Sequence, residues 1–324
     1  MSILITGVAG FIGSSVARAL LEKGEAVVGV DNLNDYYDVG LKLARLERLK
    51  AYGAFAFQKI DITDKDAMFA FFAAHREATG IVHLAAQAGV RYSLKNPFAY
   101  IESNVYGHTV VMEGARNLPQ LRHVVYASSS SVYGTNAKLP FSVADRTDAP
   151  SSLYAATKRS DELISHTYAH LYRIPLTGLR FFTVYGPWGR PDMAAYIFAK
   201  KIVAGEPIQV FNKGEMWRDF TFIDDIVVGV LSALAKPPTG PVPHRIFNLG
   251  NNRSERLLDY IGEIEKALGR KAVYEFLPMQ PGDVPRTYAD IESSKRELGY
   301  DPKTSIAEGV PRFIAWFKDY HKIG

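Results

Sequence analysis

Tyr154 and Lys158 stand four residues apart at the start of a helical pattern, Leu153 Tyr154 Ala155 Ala156 Thr157 Lys158. On a helix that spacing puts both side chains on one face, a single turn apart. A unit charge about 5 Å from a phenol, at an effective dielectric near 20, is worth roughly 3 kcal/mol, or about two pKa units in favour of the phenolate. A phenolate accessible near neutral pH is a general base for a hydroxyl proton. Spacing alone is a weak signal. With 18 Tyr and 18 Lys in 324 residues, about one such pair arises by chance, and a second pair, Tyr196 with Lys200, is present. Context separates the two. The first pair follows a strand-like run, Val124 Val125 Tyr126 Ala127, and four serines, Ser128 to Ser131, at a distance that can bring a hydroxyl back to the phenol.

The segments at the N-terminus give a reason to place this pair beside a cofactor. Residues 2–6 read as a buried strand and residues 11–22 as a helix, with Phe11, Ile12, Val16, Leu20 and Leu21 on its inner side. Between them lies Gly7-x-x-Gly10-x-x-Gly13. Such a turn lets backbone N–H groups at a helix N-terminus approach a pyrophosphate. The spacing differs by one residue from the G-x-G-x-x-G form, and glycine-rich turns also occur without ligands. A second strand, residues 26–30, ends on Asp31, which can accept hydrogen bonds from ribose hydroxyls and repels a 2′-phosphate. NAD is therefore favoured over NADP.

A helix over residues 41–50, a strand over 54–60 and a helix over 65–74 continue an alternation that implies a parallel sheet covered on both faces. Asp61 and Ile62 follow the third strand at the sheet's carboxyl edge, where an adenine can be held. A fourth strand, residues 81–86, ends in small residues that either leave room for a flat ligand or serve plain packing. The loop over 87–93 carries Arg91. A helix over 98–116 carries Asn104, read either as solvated or as turned inward to pin a neighbouring loop. The strand over 122–127 delivers the serines, and one over 176–182 leads into Thr183, after which Pro and Gly become more frequent. The expected fold class is α/β, a Rossmann-type doubly wound parallel sheet. It takes in residues 1–182, joined by about 221–249, with a smaller α/β lobe from 183–220 and 250–324 over its carboxyl edge. Met216 Trp217 Arg218 Asp219 Phe220 and residues 278–290 are expected to give that lobe its polar lining.

Composition narrows the function classes. The chain is 47% hydrophobic and has no cysteine, so thiolate metal sites and disulfides are excluded. No apolar run reaches the ~18 residues of a membrane span, and the N-terminal apolar segment lacks a basic region and is punctuated by glycines, unlike a secretory signal. A cytoplasmic protein is expected. The net charge of +4 comes from 38 basic against 34 acidic residues, without the clustered basic and aromatic residues of a nucleic-acid surface. His166 and His170 share a helix face with no third ligand nearby, so no metal is expected.

Taken together, the chain resembles the extended short-chain dehydrogenase/reductase family, and within it the nucleotide-sugar epimerases, over essentially its whole length. The resemblance is carried by Gly7 Val8 Ala9 Gly10 Phe11 Ile12 Gly13, by Asp31 Asn32, by His83 Leu84 Ala85 Ala86, by Ser129 with Tyr154 and Lys158, and by the run from Arg180 to Pro187. It is strongest to the UDP-glucuronate 4-epimerases, through the strings from Asp31 to Asp38, Gln87 to Ser93, Gly186 to Met193 and Met279 to Pro285.

What the resemblance implies is a tightly held NAD and a UDP-sugar oxidised transiently at C4. In that reading Tyr154 removes the proton of the 4-hydroxyl as C4 gives its hydride to NAD, and Ser129 hydrogen-bonds the same oxygen. Lys158 holds the nicotinamide ribose and stabilises the phenolate. The 4-keto sugar then turns over and regains hydride on its other face. The cofactor contacts so implied are Gly7, Gly10, Phe11, Ile12, Gly13, Asp31, Asn32, Asn34, Asp61, Ile62, Leu84, Ala85, Ala86, Gln87, Asn104 and Phe181, with Tyr154 and Lys158.

Substrate contacts follow the same resemblance. Family members that dehydrate carry Thr-Asp-Glu before Val-Tyr-Gly, and the decarboxylases a Glu immediately before it, whereas this chain has Ser129, Ser130 and Ser131 there. A 4-keto uronate is a β-keto acid prone to lose CO2, and Ser130, Ser131, Thr183 and Arg190, with Arg91 in reserve, are the candidates for holding its carboxylate. Ser93 belongs to the same loop as Arg91. For the UDP half, Arg218 meets a phosphate, Val210 and Phe211 flank the uracil, and Asp283 meets the ribose. Gln280 stands where other epimerases have an arginine. A homodimer through the helices over 98–116 and 154–172 is implied as well. Two other readings remain at this stage, a UDP-glucose/UDP-galactose 4-epimerase and a non-catalytic NAD-binding redox sensor.

Overall fold

Continuous apolar runs such as Ile3 Leu4 Ile5 and Val124 Val125 Tyr126 suit strands buried on both faces, and they occupy the middle of a sheet. The structure, a computed structural model, describes residues 2–280 and 283–323; Pro281 and Gly282, within the Met279 to Pro285 string, lie outside the described residues. The chain alternates through β1 (Ser2–Thr6), α1 (Phe11–Glu22), β2 (Ala26–Asp31), α2 (Val39–Lys50), β3 (Phe55–Lys59), α3 (Lys65–Ala74) and β4 (Gly80–His83). It continues through α4 (Pro97–Tyr100), a π-helical turn (Ile101–Tyr106), α5 (Gly107–Ala115), β5 (His123–Ser129), α6 (Leu153–Tyr172) and β6 (Leu176–Phe181). Then come β7 (Thr183–Tyr185), α7 (Ala194–Ala204), β8 (Pro207–Phe211), β9 (Trp217–Arg218), β10 (Phe220–Phe222), α8 (Ile223–Leu234) and β11 (His244–Leu249). The last elements are β12 (Glu255–Arg256), α9 (Leu257–Leu268), β13 (Val273–Leu277), α10 (Glu292–Leu298) and α11 (Ile306–His321).

Among the described residues, seven parallel strands form one sheet in the order β11-β6-β5-β4-β1-β2-β3. The order reverses between β1 and β4, so a crevice opens beyond their carboxyl ends, where ligands of such sheets bind. One face is covered by α1 and α8, which bring Val16, Leu20, Ile226 and Val230 into one core. The other face is covered by α3, α5 and α6, through Met68, Phe71, Phe72, Val111 and Ala169. Each fully buried Val, Leu or Phe of these layers is worth about 1.5–3 kcal/mol, which holds the carboxyl edge still beneath whatever binds there. Beyond that edge, short two-stranded pairs β7–β10, β9–β12 and β8–β13 build a roof. Among the described residues, no helix is long and apolar enough to cross a membrane.

Several elements differ from the sequence expectation, each for a local reason. The helix expected over 98–116 is broken by the π-helical turn, whose wider winding turns Asn104 inward, where it is 1% exposed. The strand expected over 81–86 stops at His83: the Leu84 N–H makes the last backbone bond to β1, at the Thr6 carbonyl, and the Ala85 N–H goes to Thr6 Oγ1 instead. β5 runs two residues past Ala127, pairing Ser129 with Phe181. Asp219, expected in the polar lining, is fully buried. It accepts the N–H groups of Asn251 and Ala289 and the Thr221 hydroxyl, and so ties three roof segments together. Phe220, expected there too, does line the space beyond the sheet's carboxyl edge, with its ring stacked on Tyr260 at a centroid distance of 3.8 Å.

Candidate active site

A cavity of about 870 Å³ lies beyond the carboxyl ends of β1, β2, β4 and β5 and reaches residues of β7, β8 and β9. At its floor is the glycine turn. Gly7 has φ +71°, and a Cβ on it would stand 2.7 Å from the Ala85 nitrogen; a Cβ on Gly13 would stand 2.1 Å from the Gly7 carbonyl oxygen. Both positions therefore require glycine. Gly10 caps α1 without a side-chain hydrogen bond, which leaves the first-turn N–H groups of the helix free of any side-chain cap. That is the arrangement an anionic diphosphate requires.

The adenosine end is built from pre-set acceptors. Asp31 takes the Ala9 N–H on one oxygen and the Leu33 N–H on the other, and each oxygen keeps a lone pair for a ribose hydroxyl. Burial raises the Asp31 carboxyl above the usual range, against the backbone N–H of Leu33 and the charge of Lys42. Asn32 donates to Asp61 at 2.8 Å, and Lys42 donates to both the backbone and side-chain oxygens of Asn34. Phe11, Ile12, Ile62, Leu84, Ala85, Ala86 and Phe181 complete the apolar wall. The residues present fit NAD. Gln87 lines the cavity as expected, and its Nε2 is buried without a partner among the described residues. Asn104 does not line it. Its amide instead clamps the Gln87 backbone through N–H and C=O bonds of 2.8 and 3.0 Å, and donates to Thr157.

Ser129, Tyr154 and Lys158 all line this cavity. β5 ends on Ser129, whose Oγ accepts the Ser131 N–H at 3.2 Å and so starts the 3-10 turn holding Ser130 and Ser131. Ser152 caps α6 by accepting the Ala155 N–H, which fixes Tyr154 in the first turn. The Tyr154 ring packs edge-on to Tyr100, whose hydroxyl is tied to the carbonyls of Ala88 and Gly89. Lys158 is 4% exposed, and its Nζ donates to the Ala127 carbonyl and to Asp161, each at 3.0 Å. Ser128 donates to Glu162, which is clamped by Arg180.

The roof sorts the remaining candidates. Thr183 and Arg190 line the cavity with Ser130 and Ser131. Arg190 is committed to Asp192 through Nε and Nη2, and Tyr36 donates to the same carboxylate at 3.0 Å. Burial, with the Asp192 charge, pushes the Tyr36 phenol up to about 12. Arg91 pairs with Asp283 at 3.1 Å and lies over the Phe211 ring. The structure thus groups Arg91 with the nucleotide candidates rather than with the serines. Arg218 donates only to backbone carbonyls and faces the Met216 sulfur, so its fork has no carboxylate within hydrogen-bond reach among the described residues.

Three substrate candidates, like Asn104, lie off the cavity wall. Val210 is fully buried in β8 while Gln209 and Phe211 line the cavity, because adjacent strand residues face opposite sides. Ser93 is buried and donates to Val90 O at 2.6 Å, closing its own turn. The Gln280 carbonyl accepts the Asp283 N–H, and Gln280 does not line the cavity. Tyr36, Lys42, Asp192 and Asp161 are functional-site neighbours that the sequence reasoning missed. The first three lie in or beside strings already singled out, and Asp161 stands three residues from Lys158, a helical neighbour by spacing alone.

Residues 3–250 match the sequence model of the NAD dependent epimerase/dehydratase family. A probable UDP-glucuronate 4-epimerase of Rhizobium meliloti is 44% identical, with 99% of this chain and 98% of the relative covered. The crystal structure of a UDP-glucuronic acid 4-epimerase from Bacillus cereus in complex with UDP-glucuronic acid and NAD superposes with a TM-score of 0.89 at 34% identity, over 99% of this chain and all of that one. A UDP-glucose 4-epimerase from Thermotoga maritima with UDP-glucose gives a TM-score of 0.87 at 30% identity, covering 99% of this chain and 100% of the other.

Proposed function

The chain belongs to the NAD dependent epimerase/dehydratase family, and from that premise we propose that it interconverts UDP-glucuronate and UDP-galacturonate by inversion at C4. The observation that carries this reading is the one cavity lined by Ser129, Tyr154 and Lys158 together with the neutral hydroxyls of Ser130, Ser131 and Thr183. The likeness to the R. meliloti and B. cereus proteins supports the uronate as the sugar.

Each residue has a task that its position allows. Tyr154 takes the proton of the sugar 4-hydroxyl on its phenolic oxygen and later returns it. Ser129 donates to the same sugar oxygen and keeps it aimed at the phenol. Lys158 lies one helical turn from Tyr154 and favours the phenolate by its charge. NAD, when bound along the glycine turn, supplies the hydride acceptor and donor for C4. Arg218, free of a carboxylate, takes a phosphate through its planar fork, and Phe211 and Asp283 take the uracil and its ribose.

A uronate with a 4-keto group loses CO2 when the bond to the carboxylate stands upright to the plane of the ketone. Hydroxyls of Ser130, Ser131 and Thr183 can hold the carboxylate in that plane. Because Asp192 already occupies two donors of Arg190, the neutral hydroxyls carry most of this grip. The test is the product formed from UDP-glucuronate, resolved as 4-epimer, pentose or none, with UDP-glucose assayed beside it. The 4-epimer is expected. Fast turnover of UDP-glucose with none of UDP-glucuronate would overturn the assignment.

The enzyme acts as a homodimer in this reading. Phe98, Ile101, Leu163 and Leu171, on α4, the π-helical turn and α6, are apolar and 44–75% exposed, on the two helical segments that the family resemblance assigns to the interface. Sedimentation of the pure protein at twice the monomer mass is the expected result.

A further inference from the structure

α6 carries two consecutive buried carboxylates of very different standing. Glu162 accepts four side-chain hydrogen bonds, from Ser128, from Nε and Nη2 of Arg180, and from Arg159, at 2.7–2.9 Å. Asp161 is 1% exposed and accepts a side-chain hydrogen bond only from Lys158, and its Oδ1 is buried without a partner among the described residues. Lys158 lines the cavity and Asp161 does not. The carboxylate therefore stands behind the ammonium as seen from the site.

The charges packed around this pair are otherwise silent. His83 on β4 is lowered to about 3 by burial and by Lys158, and burial also lowers His108 on α5, so both rings are neutral. Burial raises Tyr126 on β5, which stays a phenol. Against its burial, the hydrogen bonds from Arg180 and Ser128 keep Glu162 ionised, and Arg180 and Arg159 offset its charge. Asp161 is thus the one adjacent carboxylate whose charge is balanced by Lys158 alone among the described residues.

We propose that Asp161 is a positioning residue that sets the basicity of Tyr154: its carboxylate anchors Lys158 and offsets part of the positive charge that Lys158 presents to the phenol. Desolvation raises the Asp161 carboxyl, against the pull of Lys158, so the offset is pH dependent. As acid protonates Asp161, Lys158 presents its full charge to Tyr154. The inference rests on Tyr154 as the acid–base group and not on the identity of the sugar.

The test is the ionisation of Tyr154 itself, followed by tyrosinate ultraviolet difference absorbance with Tyr154→Phe as the blank, on substrate-free enzyme with and without NAD. Asp161→Asn keeps the size and an acceptor for Lys158 but removes the charge. Its Tyr154 midpoint is expected about one pH unit below wild type, with the acid limb of kcat displaced by the same amount and KM unmoved. Asp161→Ser, smaller and able to admit water, is the second variant should Asn not fold, and the same direction is expected. A midpoint that stays in place, or rises, in a folded variant overturns the proposal, since a merely structural carboxylate changes stability without moving the phenol. A midpoint that falls in a protein with no turnover of UDP-glucuronate sustains this inference while removing the substrate assignment.

Discussion

The two buried charge clusters on α6 are built alike and behave oppositely. In one, Glu162 joins Ser128 of β5, Arg180 of β6 and Arg159 of its own helix. In the other, Asp161 accepts a side-chain hydrogen bond from Lys158 alone among the described residues. Both acids are desolvated, yet Glu162 is held below the usual carboxylate range and Asp161 is raised above it. Burial is common to both, so the number of hydrogen bonds to the charged form decides the sign. Arg180 has no route to neutrality, so its cluster is a fixed strut between strand ends and helix. Asp161 can shed its own charge by gaining one proton, which leaves Lys158 as an unbalanced cation. The rigid cluster holds the wall, and the adjustable one sits where a proton has to move.

The largest expected effect is on the strut. Glu162→Gln leaves the Arg180 guanidinium buried without a counter-charge, which is expected to lower unfolding free energy by about 3–5 kcal/mol in urea titrations. Stability equal to wild type would dissolve the distinction between the clusters. Lys158→Met comes next and moves a different quantity. Turnover is expected to fall by about 10²–10⁴-fold, while Asp161 neutralises by taking a proton, so the loss of stability is smaller than for Glu162→Gln by at least about 1 kcal/mol. A Lys158→Met protein as unstable as Glu162→Gln would show that both pairs are struts.

The main sheet was legible because its signals are periodic and local. Ser2–Thr6, the glycine turn and Asp31 define a strand, a turn and an acidic tip that only one arrangement satisfies, and helix spacing alone joins Tyr154 to Lys158. What escaped depends on contacts between distant segments. The π-helical turn at Ile101–Tyr106 leaves no mark in composition, and it decides that Asn104 clamps Gln87 rather than lining the cavity. Val210 and Phe211 look equivalent as neighbours until the β8–β13 pairing assigns them opposite faces. Arg91 joins Asp283 across 192 positions of sequence, and Arg190 is claimed by Asp192, to whose carboxylate Tyr36 also donates. An arginine's availability for substrate cannot be read without knowing which acid already holds it. Asp161 was readable in principle, three residues from Lys158, but its importance lies in the hydrogen bonds it lacks.

The smallest effect is a slope, and it discriminates between the two acids most directly. Asp161 in the folded protein is raised to about 7, above its unfolded value near 3.8, so between those values the native state binds more protons and stability falls as pH rises. Glu162 has the reverse sign. Its contribution is complete above its unfolded value near 4.5 and is lost as pH falls through its lower folded value. Asp161→Asn deletes the first dependence and leaves the second. Measured by urea unfolding at pH 5 and again at pH 7.5, the variant is expected to gain on wild type by on the order of 1 kcal/mol at the higher pH. Parallel pH profiles for the two proteins would mean that Asp161 is already ionised across the whole range, a strut like Glu162.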